Sequence, residues 1–275
     1  MFTKSKGHRR VTSLFYAMAI TLGIYISVNE LHFFQNTYNF IVFSVATFFI
    51  YIVELFTSFQ NKSRKIQINF DYNDEVNELS EVFHKILLPI FLYLSILGFS
   101  YFNITNASIY IILAITFVSF YTLILNTKLF LEHEVKEEHK THYVYDVIKF
   151  LIFFLMVNTF ANLYKYIGDY IAYFTIGVFA ISFLINYLML IRIKMLTNKF
   201  VIQSTLNSAI ISLVFLALNL GSKFNALQIA LILIFLFYIS TAIIHHTIRK
   251  TLTREVFLEY MVVTTLLLVI AFLGI

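Results

Sequence analysis

The chain of 275 residues has no cysteine, no tryptophan, one proline and seven glycines, and only 13% of its residues are charged. Without cysteine there is no disulfide framework, no thiolate-based zinc or iron–sulfur site and no thiol nucleophile. Scarce proline and glycine leave few helix breaks of the kind from which ion-coupled carriers build their sites. The charge deficit excludes most. Soluble domains carry about a quarter charged residues, whereas here half that share would have to solubilise a chain that is 60% hydrophobic. Several motifs are missing too: no G-x-x-x-x-G-K-[S/T] for nucleotides, no G-x-S-x-G for a hydrolase serine, and no Asp-rich run for prenyl or CDP-alcohol transfer.

What is present is a regular series of charge-free runs. Asp, Glu, Lys and Arg are absent from 11–29, 31–53, 86–127, 150–164, 170–191, 200–222, 224–248 and 260–275. A helix crosses a bilayer with roughly 20 apolar residues. The 86–127 run would reach about 63 Å as a single helix at ~1.5 Å per residue, so it must fold back. Asn103-Ile104-Thr105-Asn106 is the predicted turn, because Asn favours turns over helix interiors. Two glycosylation-type patterns fall in this stretch, at Asn103 and Asn106, and are read as turn formers.

The expectation is an all-α, polytopic transmembrane bundle of nine spans, arranged as four hairpins plus a C-terminal helix. The spans are 11–28, 39–59, 86–102, 107–127, 147–164, 170–191, 204–220, 226–247 and 256–275. Strands are excluded because these runs are apolar on every side, whereas transmembrane strands alternate. Residues 1–275 read as one integral membrane domain with a cytoplasmic tail at 1–10 and juxtamembrane segments at 60–85 and 128–147, each long enough for a helix. An A-x-A pattern at Ala17-Met18-Ala19 resembles a signal cleavage site, but Ile20 to Val28 continue the apolar run to spanning length, so the segment reads as an anchor.

Orientation follows from Lys and Arg. With a cytoplasmic N-terminus, 18 of the 20 fall on the cytoplasmic side, and only Lys165 and Lys223 lie in external turns. The positive-inside rule then places the C-terminus outside. The expected location is a membrane, namely a microbial cytoplasmic membrane. The net charge of +5 belongs to surfaces facing anionic lipid, so membrane lipids and no nucleic acid are the expected partners. Tyrosines such as Tyr101, Tyr164, Tyr170, Tyr187 and Tyr238 supply the interfacial belts that tryptophan usually shares.

Three groups of residues are candidates for function. Asn158, Asn162 and Asn186 are amides inside spans and define a candidate substrate path; Asn158 and Asn162 share a face at i, i+4. Glu81, His84, Glu138, His139 and His142 gather on the cytoplasmic side, where imidazole and carboxylate at helical spacing hold zinc or iron. The same segments also read as solvated, salt-bridged helix, with Glu132 and Lys136 spaced at i, i+4, and no cofactor is the leading expectation. Ala19, Gly23 and Ser27 place small residues every fourth position, a face for close packing within the chain, for a homo-oligomer or for a membrane partner.

These features support a permease or lipid-handling role first. A metal-dependent enzyme acting on lipid at the cytoplasmic face comes second, and a membrane scaffold or assembly subunit third. No catalytic residue is named, and enzymatic activity is not the leading expectation.

Overall fold

The computed structural model describes residues 6–63, 72–131, 139–191, 198–221, 224–248 and 251–273. Among these residues the chain is helical, with nine helices and no strand: α1 (Lys6–Phe34), α2 (Thr37–Ser63), α3 (Tyr72–Phe102), α4 (Asn106–Leu131), α5 (His139–Ile167), α6 (Ile171–Ile191), α7 (Asn198–Leu220), α8 (Ala226–Ile248) and α9 (Arg254–Leu273). Among the described residues, five stretches are long and apolar enough to cross a membrane: Arg10–Phe33, Val144–Ile167, Ile171–Met189, Val201–Leu220 and Ala226–Thr247. Shorter apolar stretches occupy Thr37–Val53, Leu87–Phe102 and Ile109–Leu125.

The break between α3 and α4 falls at Asn103–Thr105, within the Asn-rich turn expected there. Asn103 closes α3 by donating both its backbone N–H and its side-chain Nδ2 to the Phe99 carbonyl, at 3.0 and 2.9 Å. The helices outrun the apolar spans. α3 begins at Tyr72 and α5 at His139, because backbone hydrogen bonding continues through polar residues that hydropathy counts as loop. On its described part, the 72–85 stretch is therefore continuous with the third apolar run rather than a separate juxtamembrane helix.

The chain divides into two compact units, Met1–Ile148 and Lys149–Ile275. In the first, α1 packs most closely on α2 and α4. Its buried stripe is Ser13, Ala17, Ile20, Ile24, Ser27 and Val28, while Val11, Phe15, Met18, Leu22 and Tyr25 on the opposite side stay uncovered. The close approach of α1 and α2 is made at Gly23. A Cβ placed there would lie 2.1 Å from Thr47 Oγ1 and 2.7 Å from Thr47 Cγ2, so the two backbones meet because α1 has no side chain at this point. Of the three small residues at four-residue spacing, Gly23 thus finds its neighbour inside this unit. Beside it, the buried Tyr93 of α3 donates to the Ser44 carbonyl of α2 and sets its ring 5.6 Å from that of Phe48, tilted by 37°.

In the second unit α6 lies closely along α7, and α8 packs on α7 and α9. The α5–α8 contact is aromatic: Phe153 stacks on Phe237 with ring centroids 4.3 Å apart, and Phe150 meets Phe237 and Tyr238 at 5.8 and 5.5 Å. The backbones of α5 and α8 lie further apart than those of α6 and α7.

The connections are locally specified. Gly168 ends α5 with φ +79°, its N–H bonded to the Tyr164 carbonyl at 2.8 Å. Lys165 donates to the Phe224 carbonyl, which ties the α5–α6 turn to the turn preceding α8. Asn225 and Gln228 form a reciprocal cap at the start of α8, with Gln228 N donating to Asn225 Oδ1 (2.7 Å) and Asn225 N to Gln228 Oε1 (3.0 Å). At the other end of α8, His246 lies 2.9 Å from Thr251 Oγ1 and 3.3 Å from the Tyr260 hydroxyl, joining α8 to α9. Gly168→Ala tests the turn: nothing lies within 4 Å of an added Cβ, so the only penalty is the left-handed backbone. The expected loss is about 1 kcal/mol in a thermal or detergent-unfolding series.

Candidate functional site

The feature that separates this protein from a soluble bundle is the polarity of α7. Ile202, Leu206, Ile210, Leu213 and Leu220 form one uncovered stripe, while Ser204, Asn207, Ser208, Ser212 and Asn219 are buried on the opposite side with Ile211 and Phe215. Water would favour the reverse arrangement. Hydrocarbon favours this one, because polar groups avoid lipid and small side chains let helices meet closely.

Most of the buried hydroxyls and amides of α6, α7 and α8 fall into one layer, with Ser212 and Asn219 further along α7. α6 and α7 are joined through 192–197, and α7 and α8 by a short turn, so neighbours run antiparallel. From the end shared by Ile191, Asn198 and Ile248, Asn186, Ser204, Thr241, Asn207 and Ser208 lie about 8, 9, 11, 14 and 15 Å in, at ~1.5 Å per residue. All five are buried. Thr241 Oγ1 donates to Asn186 Oδ1 at 2.9 Å, linking α8 to α6. Five polar atoms at this depth have no hydrogen-bond partner within the described protein: Asn186 Nδ2, Asn207 Nδ2, Ser204 Oγ, Ser208 Oγ and, beside them on α7, Gln203 Oε1.

A second pair lies toward the opposite end of this unit. Asn158 is fully buried on α5, and Asn162 Nδ2 donates to both the Asn158 carbonyl (3.1 Å) and Asn158 Oδ1 (3.0 Å). The structure thus joins Asn158 to Asn162, the pair expected from their shared helix face, and joins Asn186 to Thr241.

In the sequence Asn207 is an amide within a span and Ser208 and Ser212 are small residues at four-residue spacing, but none of them stands out as a candidate site residue; the signal for a polar face is the whole register, Ser204-Asn207-Ser208 against Ile202-Leu206-Ile210. Lys149 does not stand out either. This side chain is fully buried, the one charged group in that state among the described residues, and it lies inside the Val144–Ile167 stretch. Its position three residues into the fifth apolar span was the available signal, since a cation enclosed at such a place needs protein around it.

The proposed metal ligands divide differently. Glu81 and His84 belong to α3, and His139 and His142 to the start of α5. Their side chains, and the whole of Glu138, lie outside the described residues. Among the described residues no three His, Asp or Glu side chains converge in a metal-holding group.

No curated protein and no solved structure matches the chain. A family model does, across residues 38–274, which takes in α2 through α9 and therefore the polar layer. With its membrane-length apolar helices and inward-facing polar groups, the chain belongs to the DUF5656 family, described as a protein of unknown function.

Proposed function

We propose that the protein is a nine-span integral membrane protein, N-terminus cytoplasmic and C-terminus external, with four hairpins and a ninth helix forming one membrane domain, and that it acts as a permease or lipid-handling protein. The observation that carries this reading is the buried polar layer of α6, α7 and α8 within helices whose other faces are apolar. Polar groups at membrane depth cost stability unless something uses them. Asn158 and Asn162 toward one end and Asn186 toward the other are the two stations of the path. Amides and hydroxyls suit an uncharged polar cargo, since they offer hydrogen bonds without a fixed charge that would trap an ion.

Because the natural chain has no cysteine, every introduced thiol is unique. Tyr166→Cys, at the α5–α6 turn where Tyr166 is 84% exposed, is expected to react with an impermeant maleimide on intact cells. Thr251→Cys, between α8 and α9, is expected to react only after the cells are opened. The reverse pattern would invert the orientation, and labelling of both on intact cells would rule out nine alternating spans. A small hydrophilic thiosulfonate is expected to modify Asn162→Cys and Asn186→Cys in the membrane. Complete protection at both would mean closed packing and would remove the permease.

A further inference from the structure

The unpartnered atoms of the α6–α8 layer specify what it holds, an inference that rests on the polar-path reading above. Asn186 is 1% exposed and Asn207 5%, and Ser204 and Ser208 are fully enclosed. The Thr241 hydroxyl already occupies Asn186 Oδ1, so what Asn186 has left to offer is N–H. Asn207 likewise leaves Nδ2 unused, the two serine hydroxyls add groups that donate or accept, and Gln203 Oε1, one turn before Asn207, is an unused acceptor suited to a ligand hydroxyl. Buried donors without acceptors are costly, and native proteins satisfy them with water or with a ligand. None of the buried polar residues on these three helices is charged, and an ion brought to this depth would lose its hydration without a countercharge.

We infer that the layer formed by Asn186, Ser204, Asn207, Ser208 and Thr241 is a binding site for a neutral, oxygen-rich group bearing adjacent hydroxyl or ester oxygens. Glycerol carries that chemistry as a free solute, and the glycerol backbone of an uncharged glycerolipid carries it within the bilayer. A position about 8–15 Å in from the helix ends is within reach of both.

The experiment uses the full chain in phosphatidylcholine nanodiscs, titrated with glycerol in one arm and with 1,2-dioleoylglycerol in the other, reading the thermal midpoint and the bound mass. Either probe raising the midpoint saturably supports the site: glycerol alone identifies a solute, dioleoylglycerol alone a lipid. Asn207→Leu and Asn186→Leu are each expected to weaken the probe roughly tenfold, the worth of one hydrogen bond. Asn207→Leu is also expected to raise the probe-free midpoint, because it deletes an unsatisfied donor. Asn219→Leu is the control, since Asn219 is equally enclosed with an unpartnered Oδ1 but sits at the far end of α7; it is expected to leave affinity unchanged. Should Asn186→Leu fail to fold, Ser204→Ala with Ser208→Ala replaces it. No shift by either probe, or equal weakening in Asn219→Leu, overturns the proposal and leaves water as the occupant. Binding with the two path cysteines protected would keep the site and discard the permease; open cysteines without binding would do the opposite.

Discussion

Replacing Gly23 by valine is expected to lower the stability of the protein by about 3 kcal/mol, the upper end of what overpacking a well-packed helix contact costs. Even the first added atom would stand 2.1 Å from Thr47 Oγ1 and 2.9 Å from Thr47 Cβ. The hydroxyl can rotate away only by giving up its 2.7 Å bond to the Phe43 carbonyl. The Cβ cannot rotate at all, so relief requires α1 and α2 to separate. In lipid that separation forfeits the van der Waals contact that association depends on, as hydrocarbon replaces the partner helix without any gain or loss of hydrophobic burial. Gly23→Ala should cost less, about 1–3 kcal/mol, and Thr47→Gly in that background should recover most of it, whereas Thr47→Ser should not. The measurement is an unfolding series in detergent or bicelles. Wild-type stability in Gly23→Val would show that the helices do not meet at this point, and a loss of oligomer with unchanged monomer stability would transfer the small-residue face to a contact between chains.

Phe153→Ala should produce the second large effect, about 2–4 kcal/mol. Phe153 and Phe237 are both fully buried, and their rings stack at 4.3 Å with planes 16° apart. Core Phe→Ala substitutions in soluble proteins cost about 3–5 kcal/mol, part of which is transfer from water. In a bilayer the unfolded reference is already apolar, so the cavity and the lost dispersion contacts account for most of the change. Phe153→Leu should keep more than half of the contact. A double-mutant cycle with Phe237→Ala should return a coupling of about 0.5–1.5 kcal/mol. Additive losses would mean that the rings do not interact and that α5 is held to α8 by Phe150 instead.

Much of the helix plan was legible in the chain because it depends on local chemistry. The turn at 103–106 was visible as the Asn-rich interruption in a run too long for one bilayer, and Asn103 does close α3 through its own side chain. Helix ends were less legible: α3 reaches back to Tyr72 and α5 to His139, since charged residues stop an apolar run without stopping a helix. The candidate path was half legible. Asn158 and Asn162 advertised their contact by spacing, but the bond from Thr241 to Asn186 joins residues 55 positions apart, and no local pattern announces it. Lys149 was hidden for a related reason, as a cation near the end of an apolar span looks solvated until its neighbours enclose it.

The low charge of the chain thus determined one class of property. Solvation decides which segments leave water, and the cost of unpaired backbone in lipid forces those segments to be helical, so membrane location and helical class follow from composition and run length alone. Tertiary structure decided which face each helix turns inward. In water an amphipathic stripe would make that choice, but apart from the polar side of α7 these helices are largely apolar all round, and the bilayer is indifferent between apolar faces. Steric fit at Gly23 and Thr47, stacking of Phe153 on Phe237, and the enclosure of Asn186 and Asn207 make the choice instead, because close packing and hydrogen bonding are the forces left when hydrophobic burial no longer discriminates.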